Sequence, residues 1–197
     1  MGQDIIRLMD YLKVPKAHIM GYSMGASITA QQVTKSPERF LTVILGGATG
    51  RIGWSDEDQK LVNVVSAELD QGSVTSLILA LWPTNQAKPS ANADELKAIS
   101  AKLLEGNDSK ALAAIFRSLP DQIVSLAEMA AINVPTLGIV GTLDPAKKRF
   151  EELKAALPQM KLVLIEGAPH IGALARPEFI KAVKEFLVAH PASTDGH

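Results

Sequence analysis

Three short segments hold residue types that could do chemistry together. Gly21-Tyr-Ser-Met-Gly25 has the G-x-S-x-G spacing, Gly141-Thr-Leu-Asp144 supplies a carboxylate, and Gly167-Ala-Pro-His170 supplies an imidazole. A serine hydroxyl is a poor nucleophile until a base takes its proton and an acid orients that base. The chemistry would be acyl transfer. Ser23 would attack a carbonyl carbon, His170 would take the proton, and Asp144 would fix the imidazole tautomer and stabilise the imidazolium. The backbone N–H of Met24, next to the serine, would donate to the developing oxyanion.

These residues can meet only if the right elements carry them. Ala17 to Tyr22 reads as a short buried strand and Ser27 to Lys35 as a helix, so Ser23 falls in a strand-to-helix turn flanked by glycines. Leu41-Thr-Val-Ile-Leu45 is a second β-branched run, and two strands separated by one helix imply a parallel pair with a right-handed crossover. Pro135 to Val140 and Lys161 to Ile165 are further short apolar runs, with a helix predicted between them over Lys147–Leu157. Asp144 and His170 thus follow the carboxyl ends of two strands, where open α/β sheets build their sites. The opening segment, with Ile5, Leu8, Met9 and Leu12 on one face, and Pro177–Ala189 complete the flanking helices.

The middle of the chain differs. From Ser55 to Ala131 apolar residues recur at three- and four-residue steps, broken at Gly72, Pro83, Pro89, Gly106 and Pro120, with no strand signal. This predicts a helical insertion whose Trp82, Leu112, Ile115, Phe116 and Leu119, with Tyr22, line an apolar pocket over Ser23. The expected organisation is therefore residues 1–54 as the first part of the core, 55–131 as the insertion, 132–190 as the second part of the core, and 191–197 as a frayed tail.

Each candidate has a plainer reading. The pentapeptide could be a glycine-rich turn with a capping serine, Asp144 before Pro145 could start a turn, and His170 could be a surface loop histidine. Asp56 and Asp58 are the fallback acids. His18 opens a strand, and His190 and His197 lie in the closing segment, so each reads as structural or solvated. Gly46-Gly-Ala-Thr-Gly50 has spacing reminiscent of a phosphate loop. It lacks a clean helix start after it, and no acidic residue ends a following strand about 20 positions on, so it reads as a loop leading into the insertion.

Composition narrows the classes. Hydrophobic residues are 47% and charged residues 21% of the chain, which is ordinary globular usage. Lys and Arg number 20 against 21 Asp and Glu, giving a net charge of -1 that argues against nucleic acid as the main partner. The chain has no cysteine, so disulfides and thiolate chemistry are out. No histidine–carboxylate cluster has metal-ligand spacing, and neither a metal nor another cofactor is expected. No apolar run reaches the ~18 residues of a membrane span, and residues 1–11 carry charges where a signal peptide would be apolar, which points to the cytoplasm.

Taken together, the segments Gly21–Gly25, Ser36-Pro-Glu-Arg39, Val134-Pro-Thr-Leu-Gly-Ile-Val-Gly-Thr-Leu-Asp144, Gly167–His170 and Phe186-Leu187 resemble the α/β-hydrolase superfamily, especially its esterase, lactonase and carbon–carbon hydrolase branch with a helical cap. The chain order Ser23, Asp144, His170 is the order of that fold. The resemblance implies an α/β fold, a mainly parallel sheet of about four strands with flanking helices and a cap, and hydrolysis of small carboxylic esters. Lactone hydrolysis, carbon–carbon bond hydrolysis and perhydrolysis would use the same three residues. The family pattern also has four strands before the helix that opens this chain, one of them bearing the loop that gives a second oxyanion donor. Two expectations follow: the strand Ala17–Tyr22 lies at a sheet edge and pairs in a homo-oligomer, and the alternative to an esterase is a weak or inactive relative serving as a binding or assembly module.

Overall fold

The computed structural model describes residues 1–91 and 93–192 of the 197-residue chain. In chain order the elements are α1 (Gly2–Tyr11), β1 (Ala17–Tyr22), α2 (Met24–Lys35), β2 (Phe40–Gly46), β3 (Arg51–Ile52), α3 (Asp56–Asp70), α4 (Thr75–Ala80), α5 (Asp94–Leu104), α6 (Ser109–Arg117), β4 (Ile123–Val124), α7 (Leu126–Ala130), β5 (Thr136–Gly141), α8 (Lys147–Ala156), β6 (Lys161–Ile165) and α9 (Pro177–Val188). Four strands form one sheet in the order β1-β2-β5-β6, and every neighbouring pair is parallel.

Burial along the strands explains why the apolar runs read as continuous. A parallel strand covered on both faces needs apolar residues at successive positions rather than alternate ones. In β2, Val43 and Leu45 face a layer built by Ile6 and Met9 of α1, Ala26, Ala30 and Val33 of α2, and Phe150 and Leu153 of α8. Ile44, between them, faces Phe179, Ala182 and Phe186 of α9. All six residues of β5 are buried. The central pair β2–β5 thus divides two apolar layers, and each fully buried Leu, Ile or Phe in them contributes about 1.5–3 kcal/mol.

The helical segment has a core of its own, in which Val65, Leu69, Val74, Ile78, Leu96 and Ala113 pack together. Ser55 starts α3 with a capping box: its side chain accepts from the Asp58 N–H while the Asp58 carboxylate accepts from the Ser55 N–H. The segment is not purely helical, as its periodicity suggests. Arg51–Ile52 and Ile123–Val124 pair as a two-stranded parallel ribbon where the chain leaves the main sheet and returns to it. Strands of two residues are too short to show a period, and this pairing joins positions far apart in sequence. Val124 and Met129 then pack into the layer of α2 and α8. Among the described residues no helix is long and apolar enough to cross a membrane.

Candidate active site

The turn after β1 is forced by close approach. A Cβ at Gly21 would run into the carbonyl of Gly25 and the nitrogen of Ala26, so the strand meets the start of α2 backbone to backbone. Ser23, between them, has φ 53° and ψ -115°. For a residue with a Cβ that conformation is strained, at a cost of order 1–3 kcal/mol, and it persists because the surroundings over-determine it. Here the Ser23 N–H donates to the Gly46 carbonyl at 2.8 Å, and the Ser23 carbonyl accepts from Ala26 N–H at 3.0 Å and Ser27 N–H at 3.3 Å. Met24 opens α2, and its N–H makes no hydrogen bond to the described chain.

Asp144 lies in the loop after β5 and is 1% exposed; His170 lies in the loop after β6 and is 5% exposed. The two loops are laced together, since Leu143 N–H donates to the Ala168 carbonyl at 3.1 Å and Gly167 N–H to Thr142 Oγ1 at 2.9 Å. One carboxylate oxygen of Asp144, Oδ1, accepts from Ala146 N–H at 2.8 Å. The other, Oδ2, is 2.8 Å from His170 Nδ1. His170 Nε2 is 3.0 Å from Ser23 Oγ. An ionised carboxylate only accepts, so Nδ1 carries the proton and Nε2 is left with its lone pair toward the serine hydroxyl. Ser23, His170 and Asp144 therefore stand in one hydrogen-bonded chain.

Tyr22 packs against this chain. Its ring lies 5.5 Å from that of His170 and 5.9 Å, edge-on, from Phe179. Its hydroxyl donates to the His170 carbonyl at 2.5 Å. Burial pushes the phenol's pKa well above its ordinary value, and the nearby Asp144 charge adds to the effect.

The other sequence candidates go elsewhere. Asp58 is held by Ser55 and by Arg149, 3.2 Å away, and Asp56 sits exposed in the first turn of α3. His18 Nδ1 is 2.8 Å from Thr42 Oγ1, and His190 Nδ1 donates to the Phe186 carbonyl at 2.8 Å. His197 lies outside the described residues. Gly46 to Gly50 leads into β3, not into a helix. Trp82, Leu112 and Phe116 pack on the core of the helical segment, and Leu119 is 1% exposed. Two surface cavities, of about 500 and 340 Å³, are lined by other residues than the six expected in a pocket. Among the described residues no group of three or more His, Asp or Glu side chains could hold a metal ion.

One participant escapes sequence reasoning. Gly47, at φ +64°, backs onto the site: a Cβ there would stand 2.7 Å from Tyr22 Cζ and 3.1 Å from His170 Cε1. Its signal is the glycine pair closing the second strand, which reads equally well as a loop into the insertion.

No family model matches the chain. It is 23% identical over 195 residues to 3-oxoadipate enol-lactonase 1 of Acinetobacter baylyi, covering 95% of this chain and 70% of that protein. It is 27% identical over 150 residues to 3-oxoadipate enol-lactonase 2 of the same organism, covering 74% of this chain and 53% of that protein. Among solved structures, a thermophilic esterase from Thermogutta terrifontis superposes with a TM-score of 0.76 at 20% identity, covering 96% of this chain and 72% of that one. With its four-stranded parallel sheet and flanking helices, the chain has the α/β-hydrolase fold, and its sequence is similar to these hydrolases over most of its length.

Proposed function

We propose that this protein is a serine hydrolase that cleaves small carboxylic esters through an acyl-enzyme. The observation that carries the reading is the continuous path from Ser23 Oγ through His170 to Asp144 Oδ2, with legs of 3.0 and 2.8 Å. In acylation, Ser23 Oγ bonds to the ester carbonyl carbon while its proton passes to His170 Nε2. The buried Asp144 carboxylate stabilises the imidazolium, which then protonates the departing alcohol as the C–O bond breaks. Water, deprotonated by the same nitrogen, releases the acid in the second half. Met24 N–H, free of partners among the described residues, is the oxyanion donor; one such donor is worth about 2.7–4 kcal/mol in the transition state.

Lactone hydrolysis is the second reading, favoured by the similarity to two enol-lactonases. It needs no change of machinery, because a lactone is an ester whose alcohol stays tethered to the acyl group. A fluorophosphonate probe should label Ser23, and Ser23→Ala should abolish both labelling and turnover. A panel of short p-nitrophenyl esters and lactones then separates the two substrates. Labelling or turnover that survives Ser23→Ala removes the assignment, and a protein inert to probe and panel alike is instead a binding module. A homo-oligomer belongs to the same proposal. Among the described residues β1 pairs only with β2, and Met20 on it is 43% exposed, so its outer edge offers a template for a second copy.

A further inference from the structure

The main chain around His170 makes few hydrogen bonds. It runs from β6 to α9 with positive φ at Gly167 (65°) and Gly172 (98°) on either side of the histidine. Ala168 is anchored at both its N–H and its carbonyl, and the next backbone hydrogen bond begins at Gly172. Between them, Pro169 has no N–H, and the N–H groups of His170 and Ile171 find no partner among the described residues. Among the described residues, the single hydrogen bond that reaches the backbone of Pro169–Ile171 is the one from the Tyr22 hydroxyl to the His170 carbonyl, 2.5 Å long and joining positions 148 apart in sequence.

Tyr22 itself has little freedom to move. It is the last residue of β1, so its backbone is fixed in the sheet by the pairing with Gly46. Its ring stands against the backbone of Gly46 and Gly47, where any Cβ would come within 2.7 Å of it, and against the edge of Phe179. A strand end thus places a hydroxyl against the sparsely bonded main chain of His170, one residue before the nucleophile.

We infer that Tyr22 is a positioning residue: by binding the main chain of His170 it sets the distance between the imidazole and Ser23. The inference rests on the hydrolase reading, since it assigns Tyr22 a part in that reaction. The same strand end then locates both partners of the proton transfer, Ser23 through the peptide bond and His170 through the phenol. A small loss of registration there is expensive, because proton transfer needs a heavy-atom separation of about 2.6–3.2 Å. The phenol is also a dependable donor: an ordinary phenol is protonated at neutral pH, and burial raises its pKa further.

The test is Tyr22→Phe, which keeps the ring and its packing and deletes only the O–H. Two readouts are taken on the intact protein. In ester turnover, kcat should fall about tenfold, the worth of one hydrogen bond in transition-state terms, while KM changes less than about twofold. In proton NMR, the far-downfield resonance of His170 Nδ1–H, identified by its loss in Asp144→Asn, should broaden or exchange faster with solvent. Unchanged kcat together with an unchanged resonance overturns the inference, even if the melting temperature drops. If the wild-type protein hydrolyses nothing and resists the probe, the hydrolase reading has failed. The resonance then still decides whether Tyr22 holds His170 in place.

Discussion

Gly47 lies against His170 so closely that a methyl group on it would stand 3.1 Å from Cε1 of the imidazole. The backbone at the end of the second strand is therefore the floor on which the histidine ring and Tyr22 rest, and the absence of a side chain there is a steric requirement.

Gly47→Ala should consequently impair both folding and turnover. The new Cβ meets Tyr22 Cζ at 2.7 Å, and the φ of +64° is itself unfavourable for alanine. Strain and overpacking together should cost about 2–4 kcal/mol of stability. Gly53→Ala is the control: its φ is +73° but a Cβ there meets nothing within 4 Å, so it should cost about 1–2 kcal/mol and leave kcat unchanged. Thermal unfolding and ester kinetics on the pair check this.

Asp144→Asn should remove turnover with little change in fold. The amide can still accept from Ala146 N–H, but it no longer holds the proton on His170 Nδ1, and the wrong tautomer turns an N–H toward Ser23. A loss of about 10⁴ in kcat is expected. Asp58→Asn, in the capping box of α3, should leave kcat near wild type; a large loss there, with Asp144→Asn active, would transfer the acid's role.

The raised pKa of Tyr22 has a stability consequence with a definite sign. In the unfolded chain the phenol titrates near ~10, whereas in the fold it holds its proton to higher pH. Above ~10 the folded state binds more protons than the unfolded one, so its stability is complete below that pH and falls as pH rises toward the folded value. Denaturant melts from pH 9 to 12 should show a steeper alkaline decline for the wild type than for Tyr22→Phe. Equal slopes would contradict the burial of the hydroxyl.

The exposed margin of β1 makes a prediction about assembly. Sedimentation at micromolar concentration should show a homo-oligomer, and Met20→Lys, which puts a charge on the margin, should shift it toward monomer. A stable wild-type monomer removes the proposal.

Much of this architecture is legible in the sequence because its two central strands are covered on both faces. The runs 41–45 and 135–140 are apolar at successive positions, and glycines mark the strand ends where Ser23, Asp144 and His170 follow. What is not legible depends on distant partners. The β3–β4 ribbon joins Arg51 to Ile123, each in a strand of two residues, and leaves no periodic trace. Leu112 and Phe116 are helical and pack against the core of the helical segment, but period alone does not say whether the same face also lines a pocket. Tyr22 shows the same limit: its place before the serine is visible, while its hydroxyl's partner lies on a loop 148 residues later.

The most direct measurement is intact-protein and peptide mass spectrometry after reaction with a fluorophosphonate, run on the wild type, Ser23→Ala and His170→Ala. One adduct per chain, located on Ser23, absent from Ser23→Ala and strongly slowed in His170→Ala, is the expected result. An adduct on a different residue, or labelling of Ser23 that proceeds equally fast without His170, would contradict the claim that the imidazole activates this hydroxyl.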